Sequence, residues 1–145
     1  MSDDAQTILI IDDHPLMRKG IVQLIAMEHS LRLIGEAGDG QRGLELALRE
    51  RPDLILLDLN MRGLTGLETL KAIKAADLDS RVIILTVSDS EEDVVAALQM
   101  GADGYLLKDM EPEDVLHSLK TAAQGQIALG ERVAGILADA PLPLT

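Results

Sequence analysis

The chain contains no cysteine, phenylalanine or tryptophan, and a single tyrosine, Tyr105, in 145 residues. Without cysteine there is no disulfide framework and no thiolate metal site, which agrees with a cytoplasmic location. Without aromatics the core has to be built from Leu, Ile, Val and Ala, with Met filling gaps. Positive charge is also scarce: 13 Lys and Arg stand against 25 Asp and Glu, a net charge of −12. A field of that sign repels phosphate backbones, so this chain is not expected to touch nucleic acid directly; cations and basic protein surfaces suit it better. No apolar run is long enough to span a bilayer, and no secretory signal is visible.

What is present is 47% hydrophobic sequence in a length that suits one domain with a sizeable core. Short apolar runs alternate with longer periodic ones. TILII (7–11), LRLIG (31–35), LILL (54–57), VIIL (82–85) and GYLL (104–107) read as strands. The first helix has Pro15 in its opening turn and Ile21, Leu24 and Ile25 on one face. The second carries Leu44, Ala47 and Leu48 and stops before Pro52. Thr65 to Glu68 forms a capping box for a third, with Leu67, Leu70 and Ile73 inside. Ser90 opens a fourth that buries Val94, Ala97 and Leu98, and Pro112 sits early in a fifth, with Val115, Leu116 and Leu119, that runs to about Gly125. Strands that are unbroken apolar runs are buried on both faces, as in a parallel sheet covered by helices. The expected class is therefore α/β, a doubly wound five-stranded parallel sheet of order 2-1-3-4-5. Residues 1–125 make up the domain. Residues 126–145 read as a linker with a short amphipathic helix in 131–140, and Pro141 and Pro143 suit a tether toward a further, absent domain.

Parallel strands deliver all their C-terminal ends to one edge, and ligands bind there, where the strand order reverses. The first strand ends in Asp12 and Asp13, the third in Asp58, the fourth in Thr86 and the fifth in Lys108. Three carboxylates so placed repel one another, and one ammonium does not balance them. A hard divalent ion such as Mg²⁺, with oxygen ligands, resolves the excess. An incoming phosphoryl group would then meet the metal, Lys108 and a hydroxyl, with Asp58 nearest the crevice centre and able to attack phosphorus. His14 flanks this acidic pocket, while His29 and His117 read as surface residues.

In ILIIDDHP, LILLDLNM, VIILTVSD and GADGYLLKD the chain resembles the receiver domain of two-component response regulators, over about residues 7–124. IIDDHP, LDLNM, EEDVVAAL and GADGYLLKDMEPED most resemble the NarL/FixJ subfamily, and especially its nitrate/nitrite regulators. The resemblance implies a flavodoxin-like receiver that is a signalling switch, not an enzyme. It implies Asp58 as phosphoacceptor. Asp13, Asp58 and the main-chain carbonyl of Asn60 would bind Mg²⁺ directly, and Asp12 through water. Lys108 would contact the phosphoryl group and Thr86 would donate to it. Tyr105 would swing inward as Thr86 moves, reshaping the face of the fourth helix, fifth strand and fifth helix. The implied partner is a sensor histidine kinase. A homodimer is compatible with the resemblance, and DNA would be met only through a helix-turn-helix output domain outside this chain. Three positions depart from the common pattern: Arg62 and Asp109 stand where proline is frequent, and Val87 where a smaller residue is.

Three other readings compete. GDGQRG (38–43) matches the dinucleotide fingerprint G-x-G-x-x-G, with Asp58 twenty positions past Gly38. It follows the second strand rather than the first, and Asp39 would oppose a pyrophosphate, so the glycines are read as turn and helix-entry residues. A phosphatase of the haloacid dehalogenase type also uses an Asp nucleophile, Thr, Lys and Mg²⁺, but needs an acid two residues on, where Asn60 stands. A receiver-like interaction module that works without metal would not require the full acidic set.

Overall fold

The computed structural model describes residues 5–61, 63 and 65–139. Twelve elements follow one another: β1 (Gln6–Ile11), α1 (Pro15–Ala26), β2 (Leu31–Ala37), α2 (Gly40–Glu50), β3 (Leu54–Leu57), α3 (Gly66–Ala75), β4 (Arg81–Thr86), α4 (Glu91–Gln99), β5 (Gly104–Leu107), α5 (Pro112–Ala123), β6 (Ala128–Leu129) and α6 (Glu131–Asp139). The strands form one sheet of order β2-β1-β3-β4-β5-β6, parallel throughout. The expected 2-1-3-4-5 order holds, with a correction: among the described residues there are six strands, not five. β6 is two residues long, pairing Ala128 and Leu129 with Gly104 and Tyr105. Two residues carry no periodicity, so nothing in the local pattern announces them.

The helices form two layers. On one face, Ile21 and Ile25 of α1 and Val115, Leu119 and Ala122 of α5 pack against Ile8, Ile10, Leu54, Leu56, Ile83 and Leu85. On the other, residues from α2, α3, α4 and α6 pack against Leu9, Ile11, Ile55, Leu57, Val82 and Ile84. The alternation along β1, β3 and β4 explains why each run is apolar at every position. β2, an edge strand, is only partly buried; it runs two residues beyond the expected end at Gly35, and a one-residue register shift falls opposite Ile8 and Leu9.

One helix face differs from the sequence reading. Leu48 is exposed; α2 buries Gly40, Gly43 and Ala47 instead. A Cβ on Gly43 would fall 2.6 Å from the Ile11 side chain, so the glycine lets the helix lie close on β1 and turns the face by which it docks. The capping box at Thr65 and Glu68 is present in both directions. The helix expected within 131–140 is α6, and its Val133 is fully buried. Pro141 and Pro143 lie outside the described residues.

Candidate functional site

Backbone hydrogen bonds continue one residue past the strand ends and fix where the polar residues emerge. Asp12 N–H donates to Ala37 O at 3.0 Å, Asp58 N–H to Ile11 O at 3.0 Å, and Lys108 N–H to Thr86 O at 2.8 Å. The sheet thus brings Asp12, Asp13, Asp58, Thr86 and Lys108 together at one edge, next to the β1/β3 crevice where the order reverses.

The side chains converge. Asp58 is 1% exposed and Asp12 4%. Lys108 Nζ lies 3.1 Å from Asp58 Oδ2 and 3.0 Å from Asp12 Oδ2, so one ammonium ties two carboxylates. Asp13 completes the set beside an open cleft of about 790 Å³ lined by Asp13, His14, Gly38, Asp39, Asn60 and Met61. Arg18, from α1, reaches back to the Asp12 carbonyl and to Glu36, pinning the first turn after β1.

His14 is more central than its sequence position suggests. Its Nδ1 is 3.0 Å from Asp12 Oδ1, 3.1 Å from Asp13 Oδ1, 3.2 Å from Asp58 Oδ2 and 3.1 Å from Lys108 Nζ. One nitrogen cannot both donate to a carboxylate and accept from Lys108; the tautomer decides which it does. Among the described residues, Asp12, Asp13, His14 and Asp58 each offer a ligand atom within 4.8 Å of the others. Three carboxylates and nearby carbonyls are a hard oxygen donor set, which fits Mg²⁺. The half-exposed imidazole stands among those oxygens.

Thr86 is fully buried, and its Oγ1 accepts from the Asn60 amide at 3.1 Å. Asn60 N–H in turn donates to Asp58 Oδ1 at 3.1 Å. The Asn60 side chain therefore links the fourth strand's hydroxyl to the loop after the third. Sequence reasoning singled out only its main-chain carbonyl; an amide two residues after a strand-end Asp was the available signal. Tyr105 is already inward, fully buried, with its hydroxyl donating to Ser88 O at 2.8 Å. Burial pushes the phenol up to about 12, opposed by the Ser88 hydrogen bond and assisted by Asp93, Asp89 and Asp58.

The response regulator receiver domain model matches residues 8–120. This chain belongs to that family. The receiver is 53% identical over 137 residues to the nitrate/nitrite response regulator protein NarL of Escherichia coli K12, covering 94% of this chain and 63% of NarL. It is 45% identical to the nitrate/nitrite response regulator protein homolog of Haemophilus influenzae, covering 94% of this chain and 65% of the homolog. The receiver therefore spans a little under two thirds of these relatives. Among solved structures, the signal receiver domain of the putative response regulator NarL from Mycobacterium tuberculosis superposes with a TM-score of 0.82 at 35% identity, covering 85% of this chain and 99% of that one.

The remaining positions of the receiver fall as follows. Val87 is exposed at the rim next to Thr86. Arg62 lies outside the described residues. Asp109 pairs with Arg132 of α6, so the residue that replaces proline has an ion-pair partner. His29 and His117 are exposed. In GDGQRG, Asp39 caps α2 through Arg42 N–H at 2.8 Å, and Gly43 serves the packing on Ile11 described above. The fingerprint spacing is explained by a cap and a close helix–strand approach, of which the second is also the job of the third glycine in a dinucleotide fold.

Proposed function

We propose that this receiver is phosphorylated on Asp58 and acts as a signalling switch. The observation that carries the reading is the nearly buried Asp58 carboxylate, tied to Lys108 at 3.1 Å, on a rim that also holds Asp12, Asp13 and Thr86. In the proposed step, an Asp58 oxygen attacks the phosphorus of a phosphohistidine on a sensor histidine kinase. The P–N bond breaks, an acyl phosphate forms, and the freed imidazole takes up a proton. Acetyl phosphate is a small-molecule donor of the same group. Lys108 offsets charge on the equatorial oxygens. Thr86 leaves Asn60 to donate to one of those oxygens.

Asp13, Asp58 and the main-chain carbonyl of Asn60 would hold Mg²⁺, with Asp12 acting through water. Bound there, Mg²⁺ supplies charge neutralisation for the three carboxylates and the phosphoryl oxygens. No carboxylic acid stands two residues after Asp58; the Asn60 amide does. That favours a stored phosphoryl group over rapid turnover of substrates. The NarL-type relatives support a further reading: the receiver spans residues 1–125, the segment that follows leads to a DNA-binding output domain, and phosphorylation controls transcription through it.

Intact mass after incubation with acetyl phosphate and Mg²⁺ tests the central claim. Wild type is expected to gain one phosphoryl unit, and Asp58→Ala none. A gain in Asp58→Ala, or none in wild type with either acetyl phosphate or a phosphorylated kinase, rules the reading out.

A further inference from the structure

The rim that gathers the carboxylates also holds an imidazole, and phosphoryl transfer to Asp58 gives it no task. The run Asp12-Asp13-His14-Pro15 puts it there. A residue before proline is confined to extended backbone, and His14, the N-cap of α1, has φ −101° and ψ 100°. Its N–H donates to Asp12 Oδ1 at 2.8 Å. With the backbone held in this way, the ring lies over the strand ends. Its Nδ1 stands 3.0 Å from Asp12 Oδ1, 3.1 Å from Asp13 Oδ1 and 3.2 Å from Asp58 Oδ2. Neighbouring donors on one metal have this spacing: two atoms each about 2.1 Å from an ion, at a right angle, lie roughly 3 Å apart. Asp12 has an oxygen for each neighbour, since Oδ1 faces the imidazole and Oδ2 takes Lys108 at 3.0 Å. The half-exposed ring lines the open cleft with Asp13 and Asn60, so an ion reaches it without crossing the core.

We propose that His14 is a metal-selecting residue: its Nδ1 joins Asp12, Asp13 and Asp58 in a mixed nitrogen and oxygen donor set that takes a borderline divalent ion, Ni²⁺ or Zn²⁺, with the imidazole bound. This rests on the metal-site reading above and extends it to a second class of ion. Imidazole suits Ni²⁺ and Zn²⁺, whereas carboxylate, carbonyl and water suit Mg²⁺, which gains nothing from the ring. Ni²⁺ binds most nitrogen and oxygen sites well, so the mark of this role is the part of its affinity that disappears with the imidazole. An ion held by His14 ties the N-cap of α1 to the ends of β1 and β3, a link that Mg²⁺ does not make.

Isothermal titration calorimetry tests this on the metal-stripped chain, with Ni²⁺ alone and with Mg²⁺ alone. It compares wild type, His14→Ala, Asp13→Asn and a His29→Ala/His117→Ala double variant that removes the other two imidazoles. His14→Ala is expected to weaken Ni²⁺ by about tenfold or more, because losing even a group that only supports a ligand costs that much. The same variant is expected to bind Mg²⁺ as well as wild type or better. The double variant is expected to keep the Ni²⁺ site. In Co²⁺-loaded protein, proton NMR is expected to show one exchangeable imidazole N–H signal shifted far outside the normal range, absent in His14→Ala.

Equal Ni²⁺ affinity in wild type and His14→Ala overturns the role of His14. So does a parallel loss of both ions in His14→Ala, which marks a structural effect rather than a ligand. Loss of the Ni²⁺ site in the double variant assigns the ion to another place and overturns the proposal as well. If Asp13→Asn changes neither ion, the metal-site reading itself fails, and that outcome is distinct from a failure confined to His14.

Discussion

Tyr105 shows how much one side chain can report. It is the only aromatic residue, it is fully buried, and its hydroxyl has one carbonyl partner, Ser88 O. Its ordinary value of 10.0 is raised to about 12 in the fold, chiefly by burial. A neutral acid whose folded value is raised keeps its full contribution below pH 10 and loses it as pH rises toward 12, because the unfolded chain ionises first. Stability is expected to fall over that window by on the order of 2 kcal/mol more in wild type than in Tyr105→Phe. Absorbance at 295 nm against pH, with urea melts at matched pH, checks both; a phenol titrating near 10 in the folded protein would contradict it. Tyr105 also marks a limit of sequence reasoning. Its link to Thr86 came only from the resemblance to receivers, and the position it already holds could not be read from the strand pattern, because the Ser88 carbonyl that holds it comes from a loop with no periodic signal. The same holds for His14. Asp12, Asp13, Asp58, Thr86 and Lys108 could be read because each closes or follows an apolar run. The His14 ring's place among them depends on a side-chain rotation that spacing does not encode.

At the level of elements, α3 meets the loop after β3 at the glycine with the least room for a side chain among the described residues. A Cβ on Gly66 would fall 2.2 Å from Leu59 Cα and 2.3 Å from Asp58 O, both backbone atoms that no rotamer change can move. Gly66 N–H also donates to Leu59 O at 3.1 Å. Gly66→Ala is therefore expected to cost about 1–3 kcal/mol of stability, and to slow phosphorylation of whatever folds, because relief requires the Asp58–Leu59 backbone to shift. Urea denaturation and the rate of mass gain with acetyl phosphate measure the two effects; an unchanged melt would show that the loop yields freely. The capping box beside it was readable as a sequence motif, whereas the requirement for glycine was not, since it arises from a tertiary approach. β6 was missed for a related reason: two residues join the sheet only because β5 offers an open edge, and α6 then has a fixed start from which to cross α4.

Across the whole molecule the charge is lopsided, −12 in 145 residues, and at the site three carboxylates face one ammonium, Lys108. A divalent ion that binds only the folded form stabilises it by RT ln(1 + [L]/Kd), about 1.4 kcal/mol at ten times Kd. Millimolar Mg²⁺ is expected to raise the melting temperature more than K⁺ at equal ionic strength. Asp13→Asn is expected to abolish the excess. His14→Ala is expected to enlarge it, because no imidazole then has to leave the space between the oxygens. Thermal melts in matched salts check all three; equal effects of the two cations would leave only general screening.

The order in which the strands contribute to the rim has a consequence for synthesis. Asp12, Asp13 and Asp58 leave the ribosome well before Lys108, and β5, which positions that lysine, pairs with β4 rather than with any earlier strand. A partly made chain therefore carries the anionic half of the rim without the lysine that ties Asp12 to Asp58. On the proposed phosphoacceptor reading, competence is therefore expected only once the polypeptide is long enough to add β5 and bring Lys108 against Asp58.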